Sequence, residues 1–226
     1  MNNFKAALFD FDGTLVDSLS AWKKLDEQFF HSRGVEYSPD KVQFGGMSFS
    51  ESAEYIKEIL NLPEDVEQIK SEWIDLSFAL YRDSVKPKPF AFETALAFKN
   101  CGCKIAIGSS NNEQILMPYL DNFGMAEEFD LILTCCEAGK GKPNPDVYLT
   151  IAESLKLNSR DCVVFEDTYE GVLAGKNASM KVIAVGDEAH KAHKNDIINA
   201  ADFYIEDMSY FEKHLSDIKA FVESIL

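Results

Sequence analysis

The sequence predicts an α/β protein: a parallel sheet covered on both faces, interrupted after its first strand by a long helical insertion. Two observations carry that prediction. From Cys103 onward, continuous apolar runs alternate with helix-like stretches. Strands buried on both faces need such unbroken runs, and helices between them supply the crossovers of a parallel sheet. Before Cys103 the rhythm fails. The first apolar run ends near Asp10 and the next credible strand begins near Cys103. That gap is far longer than the roughly 30 residues of a βαβ unit.

The elements follow in order. Ala6, Ala7, Leu8 and Phe9 make the first strand. In the insertion, Leu19, Trp22, Leu25 and Phe29 form one helical stripe, closed by Gly34. Ser48 and Glu51 have the spacing of a capping box ahead of Tyr55, Ile56, Ile59 and Leu60. Pro63 opens a third helix with Ile69, Trp73, Leu76 and Leu80 on one face. Aromatic residues at this spacing read first as core. Lys86 to Phe90, KPKPF, is a proline-rich return. The insertion is therefore placed at residues 16–86, and the sheet-bearing core at residues 1–15 and 87–226. Core strands are predicted at Lys104–Ser110, Phe129–Thr134, Cys162–Asp167, Lys181–Val185 and Asp202–Ile205. Helices are predicted at Asn112–Asn122, Pro145–Leu155 and Thr168–Lys176, the second with Asn144 as N-cap and Pro145 at the first helical position.

Composition narrows the function. At 46% hydrophobic and 27% charged, the 226 residues are too apolar for a disordered chain and too charged for a membrane one. No apolar run approaches the ~18 residues of a membrane span. The opening run is broken by Asp10 without a signal-cleavage pattern, so a cytoplasmic location is expected. Cys101, Cys103, Cys135, Cys136 and Cys162 lack zinc-ligand spacing and are expected to be reduced thiols. A net charge of −16 repels nucleic acid and anionic lipid, so neither is expected as a partner. An anionic substrate would need a local cation. A monomer or weak homodimer is expected.

Asp10 and Asp12 close the first strand two residues apart, a spacing that aims both carboxylates to one side of an extended segment. Gly13 then lets the chain leave by a tight turn. Open parallel sheets bind ligands at the carboxyl ends of their strands. Three uses compete for such a pair. Helix capping explains Asp17 and Ser18, but not two acids ending an apolar strand. A calcium loop fails, because Gly13 arrives too early and no bidentate Glu follows in place. The third use is a catalytic dyad of one nucleophile and one acid/base. Other strand ends favour it. Glu166 and Asp167 end another apolar run. Four carboxylates at one sheet edge would repel without a cation, and oxygen-only ligands suit Mg²⁺. Ser109, Ser110 and Asn111 end a strand just before a helix, an arrangement that seats an anion. Lys142 sits beside Pro143 in a rigid loop. Alone, a Ser–Asn pair is a helix cap and a lysine is solvated; the argument lies in their joint occurrence. Neither the GKGK stretch ending at Lys142 nor Gly171–Lys176 has the spacing of a Walker loop.

As a set, Asp10-Phe11-Asp12-Gly13-Thr14-Leu15, Ser109, Lys142-Pro143 and Glu166-Asp167 resemble the four-motif signature of the haloacid dehalogenase-like (HAD) hydrolase superfamily. The resemblance runs from Phe4 to Val185. It implies a Rossmann-like parallel-sheet core, and the insertion is similar to the all-helical cap domain of the β-phosphoglucomutase-like subgroup. It further implies Mg²⁺-dependent phosphoryl transfer through an aspartyl-phosphate. On that pattern Asp10 is the nucleophile and Asp12 the acid/base. Mg²⁺ is held by the Asp10 carboxylate, the Asp12 backbone carbonyl and Asp167, with Glu166 assisting. Ser109 and Lys142 hold the phosphoryl oxygens, with Ser110 and Asn111 beside them.

Within the superfamily, dehalogenation is metal-independent, and the full acid/base and metal set argues against it. Phosphonate cleavage wants a cap lysine, and Gly45–Glu51 offers none. Sugar-phosphate mutases of the subgroup carry an arginine where Phe49 falls and a histidine where Trp22 falls. The expectation is therefore a phosphatase acting on a small phosphorylated metabolite, a sugar phosphate. Trp22, Gly46, Met47 and Phe49 would give it an apolar sugar-binding surface. Two alternatives are a sugar phosphomutase of the β-phosphoglucomutase type and a non-catalytic binding protein on the same fold. The second would show a lost motif residue, and none is missing.

Overall fold

A computed structural model describes residues 4–38, 42 and 44–226. Residues 1–3, and residues 39–41 and 43 inside the predicted insertion, lie outside the described residues. The chain begins with β1 (Ala6–Phe9) and β2 (Val16–Asp17), followed by the helices α1 (Leu19–Ser32), α2 (Phe49–Leu60) and α3 (Val66–Ser84). It returns through β3 (Lys86–Pro87) and α4 (Ala91–Asn100). Then come β4 (Lys104–Ser109), α5 (Glu113–Asn122), β5 (Leu131–Thr134), α6 (Cys135–Ala138) and α7 (Asp146–Ser154). The last part holds β6 (Cys162–Glu166), α8 (Tyr169–Asn177), β7 (Lys181–Val185), α9 (Lys194–Ala200), β8 (Phe203–Ile205) and α10 (Ile218–Ile225).

Six strands form one parallel sheet in the order β5-β4-β1-β6-β7-β8. The short run Ala6–Phe9 is apolar throughout because it is central and buried on both faces. Ala7 and Phe9 enter one hydrophobic cluster, Ala6 and Leu8 the other. Phe9 stacks on Phe165 at 4.8 Å, and Phe98 and Phe211 meet Phe165 edge-on. From β1 the chain builds outward through β4 and β5, then crosses back to β6 on the other side. That reversal beside β1 is the switch point where open sheets leave a crevice. The register decides what faces it. Phe9 pairs with both Ile107 and Phe165, so the chain one residue on brings Asp10 level with Gly108 and Glu166.

The long gap after β1 is filled by α1, α2 and α3. Their two crossings to the core lie side by side, because β2 and β3 pair antiparallel with Val16 opposite Pro87. The Ser48–Glu51 capping box is present at α2. The α3 start differs from expectation. It falls at Val66, not Pro63, because Asp65 and Gln68 form a reciprocal capping box of their own. Asn144 is not the N-cap of α7; its amide donates to the Gly141 carbonyl at 2.8 Å, and the helix begins one residue beyond Pro145. The helices α4, α6, α9 and α10 have no counterpart in the sequence reading. All five cysteines are free thiols. No helix among the described residues is long and apolar enough to cross a membrane.

Phe165 lies under the site at the centre of the aromatic cluster. Phe165→Ala is expected to lower stability by about 3–5 kcal/mol, read as a shift of the urea unfolding midpoint.

Candidate active site

A cavity of about 240 Å³ opens at the carboxyl ends of β1 and β4, between the sheet and the helical insertion. Asp10, Asp12, Ser109, Ser110, Asn111 and Lys142 line it from the core. Trp22, Gly46, Met47 and Phe49 line it from the insertion. Glu166 and Asp167 lie behind that wall and are fully buried.

Lys142 organises the inner end. Its ammonium donates to Asp10 Oδ1 at 2.5 Å, to Glu166 Oε1 at 2.5 Å and to the Gly108 carbonyl at 3.1 Å. Burial pushes the Asp10 carboxyl well above its ordinary value; Lys142 pulls it back, while Glu166 and Asp167 add to the rise. Burial alone would lower Lys142. The carboxylates of Asp10 and Glu166 outweigh it and hold the ammonium well above the usual lysine value, so it stays charged. Glu166 is saturated by protein donors. Tyr148 Oη also donates to Oε1, at 2.7 Å, and Oε2 accepts from Asp167 N and the Thr168 hydroxyl. Its immediate effect is thus on Lys142.

The acidic cluster fits a hard divalent cation. Carboxylate oxygens of Asp10, Glu166 and Asp167 lie within 4.8 Å of one another. Asp167 Oδ1 accepts from the Thr14 hydroxyl at 2.9 Å, but buried Oδ2 has no hydrogen-bond partner. His190 Nε2 stands 3.1 Å from that oxygen, a charge contact without hydrogen-bond alignment. A side chain on Gly13 would close the space, since a Cβ there would fall 2.2 Å from Asp167 Oδ2. Orphaned carboxylate oxygen, all-oxygen donors and a reserved gap are what Mg²⁺ requires.

Asp12 is held quite differently. Oδ1 accepts from the Ser18 hydroxyl at 2.6 Å, from Trp22 Nε1 at 3.1 Å and from the Tyr81 hydroxyl. Oδ2 accepts from Asn111 Nδ2 at 2.8 Å. Trp22 and Tyr81 belong to α1 and α3, so the insertion itself orients this carboxylate. The two aspartates share the cavity as the spacing predicts, but each is fixed by its own partners. Asn111 also donates to the Tyr81 hydroxyl at 3.0 Å. Ser109 Oγ accepts from Asn111 N at 3.0 Å, and Ser110 Oγ donates to the Gly46 carbonyl at 3.3 Å. Trp22 was expected only as an apolar face; its indole N–H is an additional donor. Glu51 Oε2 accepts from both Ser48 N and Gly141 N, tying the α2 start to the loop that carries Lys142.

Several residues at the site escaped sequence reading. Tyr81 continues the α3 stripe two turns beyond Trp73 and reads as core. Tyr148 and His190 carry no motif. Asp26, Ser52 and Trp73 also line the cavity, and the helical spacing of Trp73 gave only a burial signal.

Residues 7–185 match the haloacid dehalogenase-like hydrolase family, and the chain belongs to it. It is 28% identical over 187 residues to hexitol phosphatase B of Escherichia coli (strain K12), covering 80% of this chain and 82% of that protein. It is 31% identical over 199 residues to a bifunctional riboflavin kinase/FMN phosphatase of Arabidopsis thaliana, covering 85% of this chain. The match spans about half, 52%, of that longer relative. Among solved structures, a β-phosphoglucomutase from Clostridium difficile superposes with a TM-score of 0.78 at 21% identity, over 97% of this chain and 99% of that one. At that identity the likeness concerns the fold.

Lys142→Met is expected to cost about 3–5 kcal/mol near neutral pH, because two buried carboxylates lose their partner. Asp10, already raised, then takes up a proton more readily in the folded than in the unfolded chain. The deficit should therefore narrow as pH falls, measured by thermal melts across pH 5 to pH 8.

Proposed function

We propose that the protein is a Mg²⁺-dependent phosphatase that hydrolyses a small phosphorylated metabolite, a sugar phosphate, through an aspartyl-phosphate on Asp10. The observation that carries this reading is the division of labour between the two aspartates. Asp10 lies beside the Lys142 ammonium, while Asp12 is fixed on four donors at the same cavity. The names of relatives support the substrate class: one is a hexitol phosphatase, and another a phosphorylated carbohydrates phosphatase of Thermotoga maritima.

Lys142 and the Ser109 hydroxyl would hold the phosphoryl oxygens. Asp10 attacks phosphorus, the bond to the leaving oxygen breaks, and Asp12 delivers the proton that oxygen needs. Asp12, now a carboxylate, takes a proton from water, whose oxygen attacks phosphorus and releases Asp10. Held by Asp10, Asp167 and the Asp12 carbonyl, with Glu166 adjoining, Mg²⁺ would offset the charge of the substrate and of the transition state. Residues 16–86 act as a cap. Because Trp22 and Tyr81 orient Asp12, the proton donor is in place when the cap is closed on the core, which also excludes bulk water.

Hydrolysis is favoured over a mutase reaction by the cap wall. Phe49 is buried against Trp22 and Trp73, at 6.3 and 5.5 Å between ring centroids. Among the described residues lining the cavity, the groups able to carry positive charge are Lys142 and His190. Both contact the core acids, so among the described residues a second phosphate finds no cationic partner at the cap end.

Asp10→Asn is expected to abolish phosphate release while leaving the circular dichroism spectrum and melting temperature near those of the parent. Retained turnover would rule the mechanism out. EDTA should stop phosphate release from a panel of sugar phosphates, and added Mg²⁺ should restore it. Tyr81→Phe removes one of the donors to Asp12, a hydrogen bond to a charged group worth about 1.5 kcal/mol. It should lower kcat about tenfold with little change in KM.

A further inference from the structure

The acid cluster has a neighbour that none of the strand-end motifs supplies. His190 lies in a short 3₁₀ turn, Glu188–His193, in the segment that follows β7. It lines the same cavity as Asp10 and Asp12. Its Nε2 stands 3.1 Å from Asp167 Oδ2. Both atoms are buried, and neither makes a hydrogen bond. The turn that carries the imidazole is anchored at several points. Gly186 N donates to the Ile205 carbonyl at 2.8 Å, and His190 N donates to the Asp187 carbonyl at 3.1 Å. Asp187 Oδ1 accepts from Ala189 N at 2.9 Å. Asp187 Oδ2 meets Lys88 Nζ at 2.6 Å, in an ion pair whose side chains are 11% and 10% exposed. The backbone N–H of Lys88 donates to the Leu15 carbonyl at 2.9 Å. Leu15 follows Thr14, whose hydroxyl holds Asp167 Oδ1. One frame therefore fixes both the imidazole and the carboxylate it faces.

A buried imidazole touching a buried carboxylate has two uses. In an ion pair the N–H points at the oxygen, and that charged hydrogen bond offsets the cost of burial. Here the N–H is not aligned on Oδ2. Two ligands of one metal ion are arranged otherwise. Each aims its lone pair at a third point, and the two donor atoms meet edge to edge. On an octahedral ion with bonds of about 2.1 Å, adjacent donors lie about 3.0 Å apart. The 3.1 Å between Nε2 and Oδ2 matches that edge. Their shielding from water is no obstacle, because the two atoms cover each other and a bare divalent ion is smaller than a water molecule. Asp10, Glu166 and Asp167 already gather oxygens within 4.8 Å of one another, and Asp167 is the member that His190 touches.

We propose that His190 Nε2 is a metal ligand, a nitrogen donor set beside Asp167 in the cation site of the core. This role rests on the metal dependence proposed above and specifies the kind of ion. An all-oxygen site suits Mg²⁺, for which imidazole is a poor ligand. One imidazole among the oxygens shifts the preference toward later first-row ions such as Co²⁺, which bind nitrogen more strongly than Mg²⁺ or Mn²⁺ does. Coordination uses the Nε2 lone pair and leaves the ring proton on Nδ1. Mg²⁺ still binds through the carboxylates, so His190 sets which ion is held most tightly.

Metal binding tests this without turnover. With Mn²⁺ added to the wild-type protein, electron spin-echo modulation should show a directly bound nitrogen, and His190→Ala should abolish it. Calorimetry with Mg²⁺, Mn²⁺ and Co²⁺ in turn should show the affinity ratio of Co²⁺ to Mg²⁺ falling at least about tenfold in His190→Ala, no less than loss of an outer-shell partner costs. Asp167→Asn should weaken all three ions, which identifies the site being measured. His190→Gln offers an oxygen in place of the nitrogen. It should keep Mg²⁺ binding yet lose the nitrogen signal, so the test stands should His190→Ala fold poorly. No nitrogen signal in the wild-type protein would overturn the proposal. An ion preference unchanged in both His190 variants would do the same. An equal gain in affinity for all three ions in His190→Ala would replace it with a histidine that only fills the site until an ion displaces it. Phosphate release is scored apart: a protein that turns over nothing with any ion, but keeps the nitrogen signal, would count against the phosphatase reading alone.

Discussion

One buried ammonium holds the catalytic edge together. Lys142 comes from the loop that follows β5, yet it reaches the end of β1 at Asp10, the end of β4 at the Gly108 carbonyl and the end of β6 at Glu166. Three carboxylates within 4.8 Å would be untenable without it. At an effective dielectric near 20, two like charges about 4 Å apart repel by roughly 4 kcal/mol. Lys142 makes the cluster possible without neutralising it. One ammonium among three acids leaves a net deficit, and Asp167 Oδ2, which accepts no hydrogen bond and lies 3.1 Å from His190 Nε2, could take a further cation. Glu166, held by Lys142, Tyr148, Thr168 and the Asp167 amide, keeps the ammonium aimed.

The second tie runs between core and insertion, and it passes through Asp12. Four donors converge on this carboxylate, two of them from helices that the core does not contain. Glu51 adds a bridge at the other rim by accepting from Gly141 beside Lys142. The adjacent crossings at β2 and β3 let the three helices sit over the sheet. Orientation of the Asp12 carboxylate and enclosure of the cavity therefore depend on the same contacts.

The sheet was legible because its central strands are buried on both faces, which demands unbroken apolar runs such as Val163–Phe165. The insertion was legible because α1 to α3 each bury one stripe. By contrast α4 has no such stripe. Ala91, Phe92, Thr94, Ala95, Ala97 and Phe98 are all buried, so its pattern carries little helical period. The Asn144 cap was misread because a nearer carbonyl, that of Gly141, competes for the side chain. Trp73 was legible as a buried aromatic, but Tyr81 was not singled out, since periodicity reports a face and says nothing of what a polar tip meets.

The sequence by itself determined the kinds of group present and the strand ends that carry them: acids after β1 and β6, hydroxyls after β4, a lysine after β5. Local patterning suffices for that, because a strand's end is set by its own apolar run and the glycine or polar residues that stop it. Only the tertiary structure decided which group answers which. Lys142 meets Asp10 across 132 residues of chain, and Tyr81 meets Asp12 across 69. No spacing rule spans such separations. Those pairings exist because the sheet order brings four strand ends to one crevice and the packed helices lower their polar tips into it.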